Sequence, residues 1–295
     1  MSVKELNTLV NLLSDPDTVV FGAVASQLLE QGSKTIPLLE KEWSQNNDAK
    51  TRERIENLIQ QIHSNEVRQG LQEWLSQPEA ERNLLKGAFW IAKQRYHNLQ
   101  FSQLQDTVNN IMTDIWIGLA DDDLPPLNKL NIFNKLFFRG HSFIPAAEAL
   151  SPTYCFINRV LETKCGNGAS LALLYLHIAQ QIGLSVEGVC APGVSLLAYV
   201  NDDKEILCYI NPYNNGSCCS KNLLTSFFKQ SGIEPREEYY STCSKTTVLL
   251  RLLDYLIYAY EQENANSQVE IYRSLRSLFG ETSSFLSANE DESSL

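Results

Sequence analysis

The sequence predicts an α+β fold in which a buried helix packs on an antiparallel sheet, with α-helical segments before and after this core. Three observations carry that prediction. Between Lys164 and Asp202 the only formally charged side chain is Glu187, so the stretch can be buried almost whole. Behind a small-residue turn, Lys164-Cys165-Gly166-Asn167-Gly168-Ala169-Ser170, the residues Leu171, Leu174, Tyr175, Ile178 and Ile182 recur at helical spacing, and Gly183 is placed to stop the helix. Three strand-like runs follow, 186–189, 195–200 and 205–210, the first two separated by Pro192-Gly193.

From the amino terminus, Leu6, Leu9, Val10 and Leu13 stripe a first helix that stops at Ser14-Asp15-Pro16-Asp17. Val20, Val24 and Leu28 stripe a second, ended by Gly32; a third runs from Ile36 to Trp43, and Ile55, Leu58, Ile59 and Ile62 mark a fourth. Leu12-Leu13-Ser14-Asp15-Pro16-Asp17 followed by a valine- and alanine-bearing helix resembles a HEAT repeat. Residues 66–119 continue helical around Trp74, Phe89 and Trp116. A helix over 127–138, with Leu130, Phe133 and Phe137 in register, ends before Gly140-His141. After the third strand, Pro212-Tyr213-Asn214-Asn215-Gly216 reads as a turn, 223–228 as a short helix and 231–240 as an extended link. Val248, Leu252, Leu256 and Tyr260, then Val269, Tyr272 and Leu275, form a closing helix pair that resembles one tetratricopeptide-like unit. The Ser- and acid-rich stretch 281–295 is expected to be disordered.

The predicted organisation is therefore a HEAT-like segment over 1–65, the core with its helical lead-in over 66–245, a helix pair over 246–280 and a tail over 281–295. A chain of 295 residues is long enough for a sizeable hydrophobic interior. A net charge of −11 argues against nucleic acid as a partner, since phosphate binding needs clustered Lys and Arg. Asn167, His177, Gln180 and Gln181 interrupt the charge-poor run, so no membrane partner is expected. No secretory signal is visible over residues 1–16, which makes the cytoplasm the expected compartment and the seven cysteines free thiols. Cys218-Cys219 is adjacent and lacks metal-ligand spacing, and Asp121-Asp122-Asp123 lacks that of a calcium loop; no metal and no cofactor are expected.

Asn158-Arg159-Val160-Leu161-Glu162-Thr163-Lys164, then Gly166-Asn167, Ser170-Leu171, Leu174-Tyr175, Gly188-Val189, Pro192-Gly193 and Ile210-Asn211-Pro212-Tyr213 resemble a bacterial subfamily of the transglutaminase-like superfamily, with its papain-related core. The resemblance implies a cysteine two residues after the turn glycine, a histidine after Pro-Gly and an aspartate before the next proline. Here those positions are Gly168, Val194 and Asn211. A nucleophilic thiol needs a base and the base needs an orienting group, so the resemblance implies a vestigial site with no catalytic residue. Cys165, Asn167, Ser170, Cys190 and Ser195 would line the vestigial cleft.

Three functions compete. The first is a non-catalytic binding or scaffold module whose cleft takes a protein, peptide or small-molecule ligand. The second is a cysteine-dependent hydrolase or acyltransferase with a displaced nucleophile at Cys165 or Cys190. The third is a purely structural or oligomerising protein. His141, in the loop after a core-flanking helix, invites a relocated base, although loop histidines more often cap or face solvent; His177 reads as an interior group.

Overall fold

Capping side chains set the amino-terminal helices where the sequence places them. The structure, a computed structural model, describes residues 1–119, 124–148 and 150–280, so the Asp121–Asp123 run and the tail over 281–295 lie outside the described residues. Helix α1 (Val3–Asn11) starts in a reciprocal box between Ser2 and Glu5, and α2 (Thr18–Gln31) starts on Asp17, whose carboxylate accepts from the Val19 amide at 2.8 Å. Helix α2 stops at Gly32, and α3 (Ile36–Gln45) and α4 (Ala49–Ser76) complete the segment. Leu13, Leu28, Leu39 and Ile55, all fully buried, centre its core. The turn between α1 and α2 is tied down by Arg54, whose guanidinium donates to the carbonyls of Leu13 and Asp15 at 3.1 and 2.8 Å.

Helix α4 runs unbroken through the boundary expected at residue 65. By contacts the chain forms two units, Met1–Glu73 with Lys93–His97, and Trp74–Ala92 with the residues from Asn98 on.

In the second unit the helices α5 (Leu84–Lys93), α6 (Phe101–Gly118) and α7 (Pro126–Asn134) precede the core. Helix α7 does not end where its apolar spacing does. It widens into a π-helical stretch, Lys135–Gly140, closed by the His141 amide on the Leu136 carbonyl at 2.8 Å. A two-residue strand β1 (Ile144–Pro145), helix α8 (Ile157–Thr163) and strand β2 (Cys165–Gly166) follow, with β1 and β2 paired in parallel. Lys164, at φ 61°, ends α8 in a left-handed turn.

The core helix α9 (Gly168–Gln181) is buried at every position from Gly168 to Ala179, as its lack of charge requires. Gly183, at φ 85°, closes it. Strands β3 (Val186–Val189), β4 (Leu197–Val200) and β5 (Ile206–Asn211) match the predicted runs, β4 starting two residues later than its run. Two further strands extend the sheet at its edges, β6 (Ser217–Cys219) beside β5 and, after α10 (Lys221–Gln230), β7 (Thr242–Cys243) beside β3. The order is β6-β5-β4-β3-β7, all antiparallel. The link over 231–240 is extended only in part, because Glu237–Tyr240 turns into a 3₁₀ helix.

Side-chain alternation divides the sheet's two faces. Leu196, Ala198 and Val200 join Leu224, Phe227 and Phe228 of α10 in one apolar cluster. Helix α9 packs against β3, and α11 (Lys245–Gln262) packs against α9. Phe133 meets the Tyr175 ring edge-on at 4.5 Å between centroids and Phe137 stacks on Phe143 at 4.6 Å, which seats α7 and its π-helical extension beside α9. Helix α12 (Asn266–Arg276) pairs with α11 through Arg276 and the buried Asp254 at 2.5 Å.

Candidate functional site

The three positions matched to a catalytic triad are buried, and each has local structural work. Gly168 is the first residue of α9. Val194 packs in the apolar cluster with Val189, Leu196 and Phe228. Asn211, 1 % exposed, caps the 3₁₀ turn Pro212–Asn214, its Oδ1 accepting from the amides of Tyr213 and Asn214 at 3.0 and 3.3 Å. An imidazole at 194 would enter an apolar cluster, and the carbonyl oxygen of Asn211 is already occupied by backbone donors.

Of the expected cleft-lining residues, Asn167, Ser170 and Ser195 are buried as well. Asn167 is fully buried; its Oδ1 accepts from the Ser170 amide at 2.9 Å and its Nδ2 donates to Cys155 Sγ at 2.9 Å. Ser170 Oγ donates to the Tyr154 carbonyl at 2.6 Å. Cys165 is half-buried in β2. Ser195 borders a cavity against Ala169, Ala172 and Arg251 of only about 10 Å³, room for one water at most. Asn167 and Ser170 thus spend their polar atoms on the local fold at the start of α9.

Cys190 departs from the expectation of an ordinary thiol. The Cys243 thiol donates to its sulfur and pulls its pKa down to about 7 against the opposing effect of burial, with the Arg251 guanidinium adding to the pull. Arg251 is itself 6 % exposed and donates to the carbonyls of Val194, Ala191 and Val189 at 2.8, 2.6 and 3.3 Å, clamping the Pro192-Gly193 turn. Sequence reasoning missed this clamp, since nothing in the spacing of α11 distinguishes Arg251 from a solvated helix residue.

An open pocket of about 550 Å³ lies elsewhere on the core, between α7 with its π-helical extension and the turn leading into β6. Asn131, Asn134, Lys135 and Arg139 form one wall, Ser217 and Cys218 the other. Asn134 bridges the walls, its Nδ2 donating to the Gly216 carbonyl at 2.9 Å and its Oδ1 accepting from the Tyr175 hydroxyl at 2.7 Å. The close approach requires Gly216: its φ is 71°, and a Cβ there would lie 2.3 Å from Asn134 Oδ1. Lys135 and Arg139 are exposed and form no ion pair among the described residues. Cys218 is exposed, and the Cys208 thiol, donating to its sulfur, draws its pKa down to about 7 while that of Cys208 rises.

His141 faces Asp114 at 3.6 Å, and burial lowers its pKa. His177, 5 % exposed on α9, is pushed down to about 4 by burial and by Lys245. In the amino-terminal unit, the rings of His63 and His97 stack at 4.1 Å beside Trp43, an arrangement the sequence does not signal. Among the described residues no group of three or more His, Cys, Asp or Glu is placed to hold a metal ion, and no helix is long and apolar enough to cross a membrane.

A family model described as the transglutaminase-like superfamily matches residues 50–254. The chain is similar to a UPF0162 protein of Xylella fastidiosa strain Temecula1, 26% identical over 137 residues, 45% of this chain and 47% of that protein. It is also similar to UPF0162 proteins of Buchnera aphidicola from Schizaphis graminum, 30% identical over 148 residues (48% and 53% of the two chains), and from Acyrthosiphon pisum, 32% over 146 residues (47% and 52%). The chain thus spans about half the length of these bacterial relatives. No solved structure matches.

Proposed function

The chain belongs to the transglutaminase-like superfamily, and on that premise we propose that it is a non-catalytic member that binds an anionic small molecule or peptide group in the pocket beside β6. One contrast carries this reading: the cavity between Ala169, Ser195 and Arg251 holds about 10 Å³, whereas the pocket beside β6 holds about 550 Å³ and presents two solvated cations. Anions fit because Lys135 and Arg139 form no ion pair among the described residues, in a chain of net charge −11. Asn131 and Asn215 on its walls offer hydrogen bonds that fix orientation. Nucleic acid and membrane are not proposed as partners, and the free thiols favour a cytoplasmic location.

A displaced nucleophile at Cys190 is the second reading, favoured by its lowered pKa. Against turnover, the groups that hold Cys190 among the described residues are Cys243, Ser241 and the Thr242 carbonyl, none of them a base at neutral pH. Reactivity without turnover is the expected behaviour.

The full chain is to be assayed on glutamine-donor amides and peptides, and titrated with inorganic phosphate and succinate while its thermal midpoint is followed. The expected result is no turnover, with anion-induced stabilisation that disappears in Lys135→Gln/Arg139→Gln. Turnover abolished by Cys190→Ser would install the second reading; stabilisation indifferent to the two cations would remove the pocket from the first.

A further inference from the structure

We propose that Cys218 and Cys208 form a thiol–disulfide exchange site on the edge of the sheet, taking a negatively charged low-molecular-weight disulfide as substrate. This rests on the pocket beside β6 being the ligand site. The β5–β6 register sets Ile210 opposite Cys218, so Cys208, two residues before Ile210, lies diagonally across from Cys218 on the same face. The Cys208 thiol lowers the pKa of Cys218, whose Sγ also donates to the Gly216 carbonyl at 3.9 Å. Cys218 is the exposed partner and lines the pocket with Lys135 and Arg139, whereas Cys208 is half-buried behind it. Burial, with the Cys218 and Cys208 thiols adding to it, raises the pKa of the Tyr175 hydroxyl, which donates to Asn134 on the pocket wall.

The chemistry follows from this order of access. The Cys218 thiolate attacks one sulfur of the substrate RS–SR. A bond forms between Cys218 Sγ and that sulfur, the substrate S–S bond breaks, and RS⁻ leaves with the electron pair beside the two cations. Cys208 then gives up its proton, attacks Cys218 Sγ and expels the second RS⁻. The protein loses two electrons and two protons as the Cys208–Cys218 bond forms, and the substrate gains them as two RSH. A diagonal pair has Cα atoms at about 7–8 Å, just beyond the usual span of a disulfide, so the bridge draws the short edge strand inward and is readily reduced again. Neighbouring Cys219 does not compete: it is buried, with its pKa pushed up to about 11.

Cys190 and Cys243 form a second diagonal pair, at the opposite edge of the sheet, and serve as an internal control. Its cationic neighbour, Arg251, is committed to the carbonyls of Val189, Ala191 and Val194.

The test uses the reduced full chain near neutral pH with two probes, the dianionic dithiobis(nitrobenzoate) and the neutral dithiodipyridine, followed by peptide mass mapping. The expected result is a fast phase that releases two thiol equivalents and yields the Cys208–Cys218 bridge, with the anionic probe favoured about tenfold by the local field. Lys135→Gln/Arg139→Gln should abolish that preference, and Cys208→Ser should stop the reaction at one equivalent with the probe retained on Cys218. Charge preference without a bridge would leave the pocket as a ligand site and overturn the exchange step. A bridge with no charge preference would overturn the anionic substrate. A fast phase unchanged in Cys218→Ser, an exposed substitution that the fold tolerates, would overturn the assignment altogether.

Discussion

Helix α9 borders two sites of opposite character. At its start, Asn167 and Ser170 spend their polar atoms on the backbone and on Cys155, and the cavity beside Ala169 holds about 10 Å³. Further along, Tyr175 reaches through Asn134 to the wall of a pocket of about 550 Å³. The difference lies in where polar groups find partners. A helix start with a satisfied cap and small residues closes onto its neighbours, whereas the π-helical stretch projects Lys135 and Arg139 beyond the apolar seam made by Phe133 and Phe137. Family membership alone directs attention to the first site; polar accounting directs it to the second.

The largest expected effect breaks the closed side alone. Arg251→Ala leaves the carbonyls of Val189, Ala191 and Val194 without their donor in a buried setting, at a cost of roughly 3 kcal/mol or more. The urea midpoint should fall accordingly. Alkylation of Cys190 should shift to higher pH as one of the groups that draws its pKa down is lost, while labelling of Cys218 is unchanged.

Gly216→Ala strikes the open side. The new methyl group meets Asn134 and Phe138 and also sits at positive φ, so about 2–3 kcal/mol of stability should be lost. Cys218 reactivity should change in this variant and Cys190 reactivity should not. An equal change at both thiols would mean that the two sites are not independent.

Much of the core was legible before any coordinates. The charge gap from Cys165 to Asn201 locates α9 and the central strands, Gly183 marks the helix end, and Pro212-Gly216 marks the turn, because burial, periodicity and turn chemistry are all local in sequence. The positions that the resemblance matches to a triad, Gly168, Val194 and Asn211, were equally legible as residues, and the structure shows them as helix start, core side chain and cap. The pocket was not legible. It joins residues 131–139 to 215–218 across a two-residue approach of Asn134 and Gly216 that has no spacing signature. Strands β6 and β7 are three and two residues long, too short for alternation to show, and without them the cysteine pairs have no register.

Acid should act on α9 through His177, two residues beyond Tyr175. Its folded pKa, about 4, lies below the ordinary value of 6.5, so the unfolded chain takes up the proton more readily. The neutral ring's contribution is therefore present above about pH 6.5 and is lost as pH falls from there toward 4, by about 2 kcal/mol at pH 5. Urea midpoints at pH 7.5 and pH 5 measure this, and His177→Gln should flatten that part of the dependence. An unchanged slope in the variant would assign the acid sensitivity elsewhere.

The smallest effect separates a cap from a catalytic remnant. Asn167 holds the start of α9 through one hydrogen bond to the Ser170 amide and donates another to Cys155, whose thiol burial pushes up to about 12. Asn167→Ala removes both, and a lost N-cap costs about 1 kcal/mol, with a further fraction for the weak sulfur acceptor. Asn167→Asp restores the acceptor at the positive end of the helix but not the donor, so it should recover most of the loss. If Asn167 serves only the fold, its variants change the urea midpoint in that order and leave anion binding and Cys218 labelling untouched. A variant that kept its stability yet lost anion binding would move the ligand from the pocket beside β6 to the helix start, and the closed end of α9 would then have to open in solution.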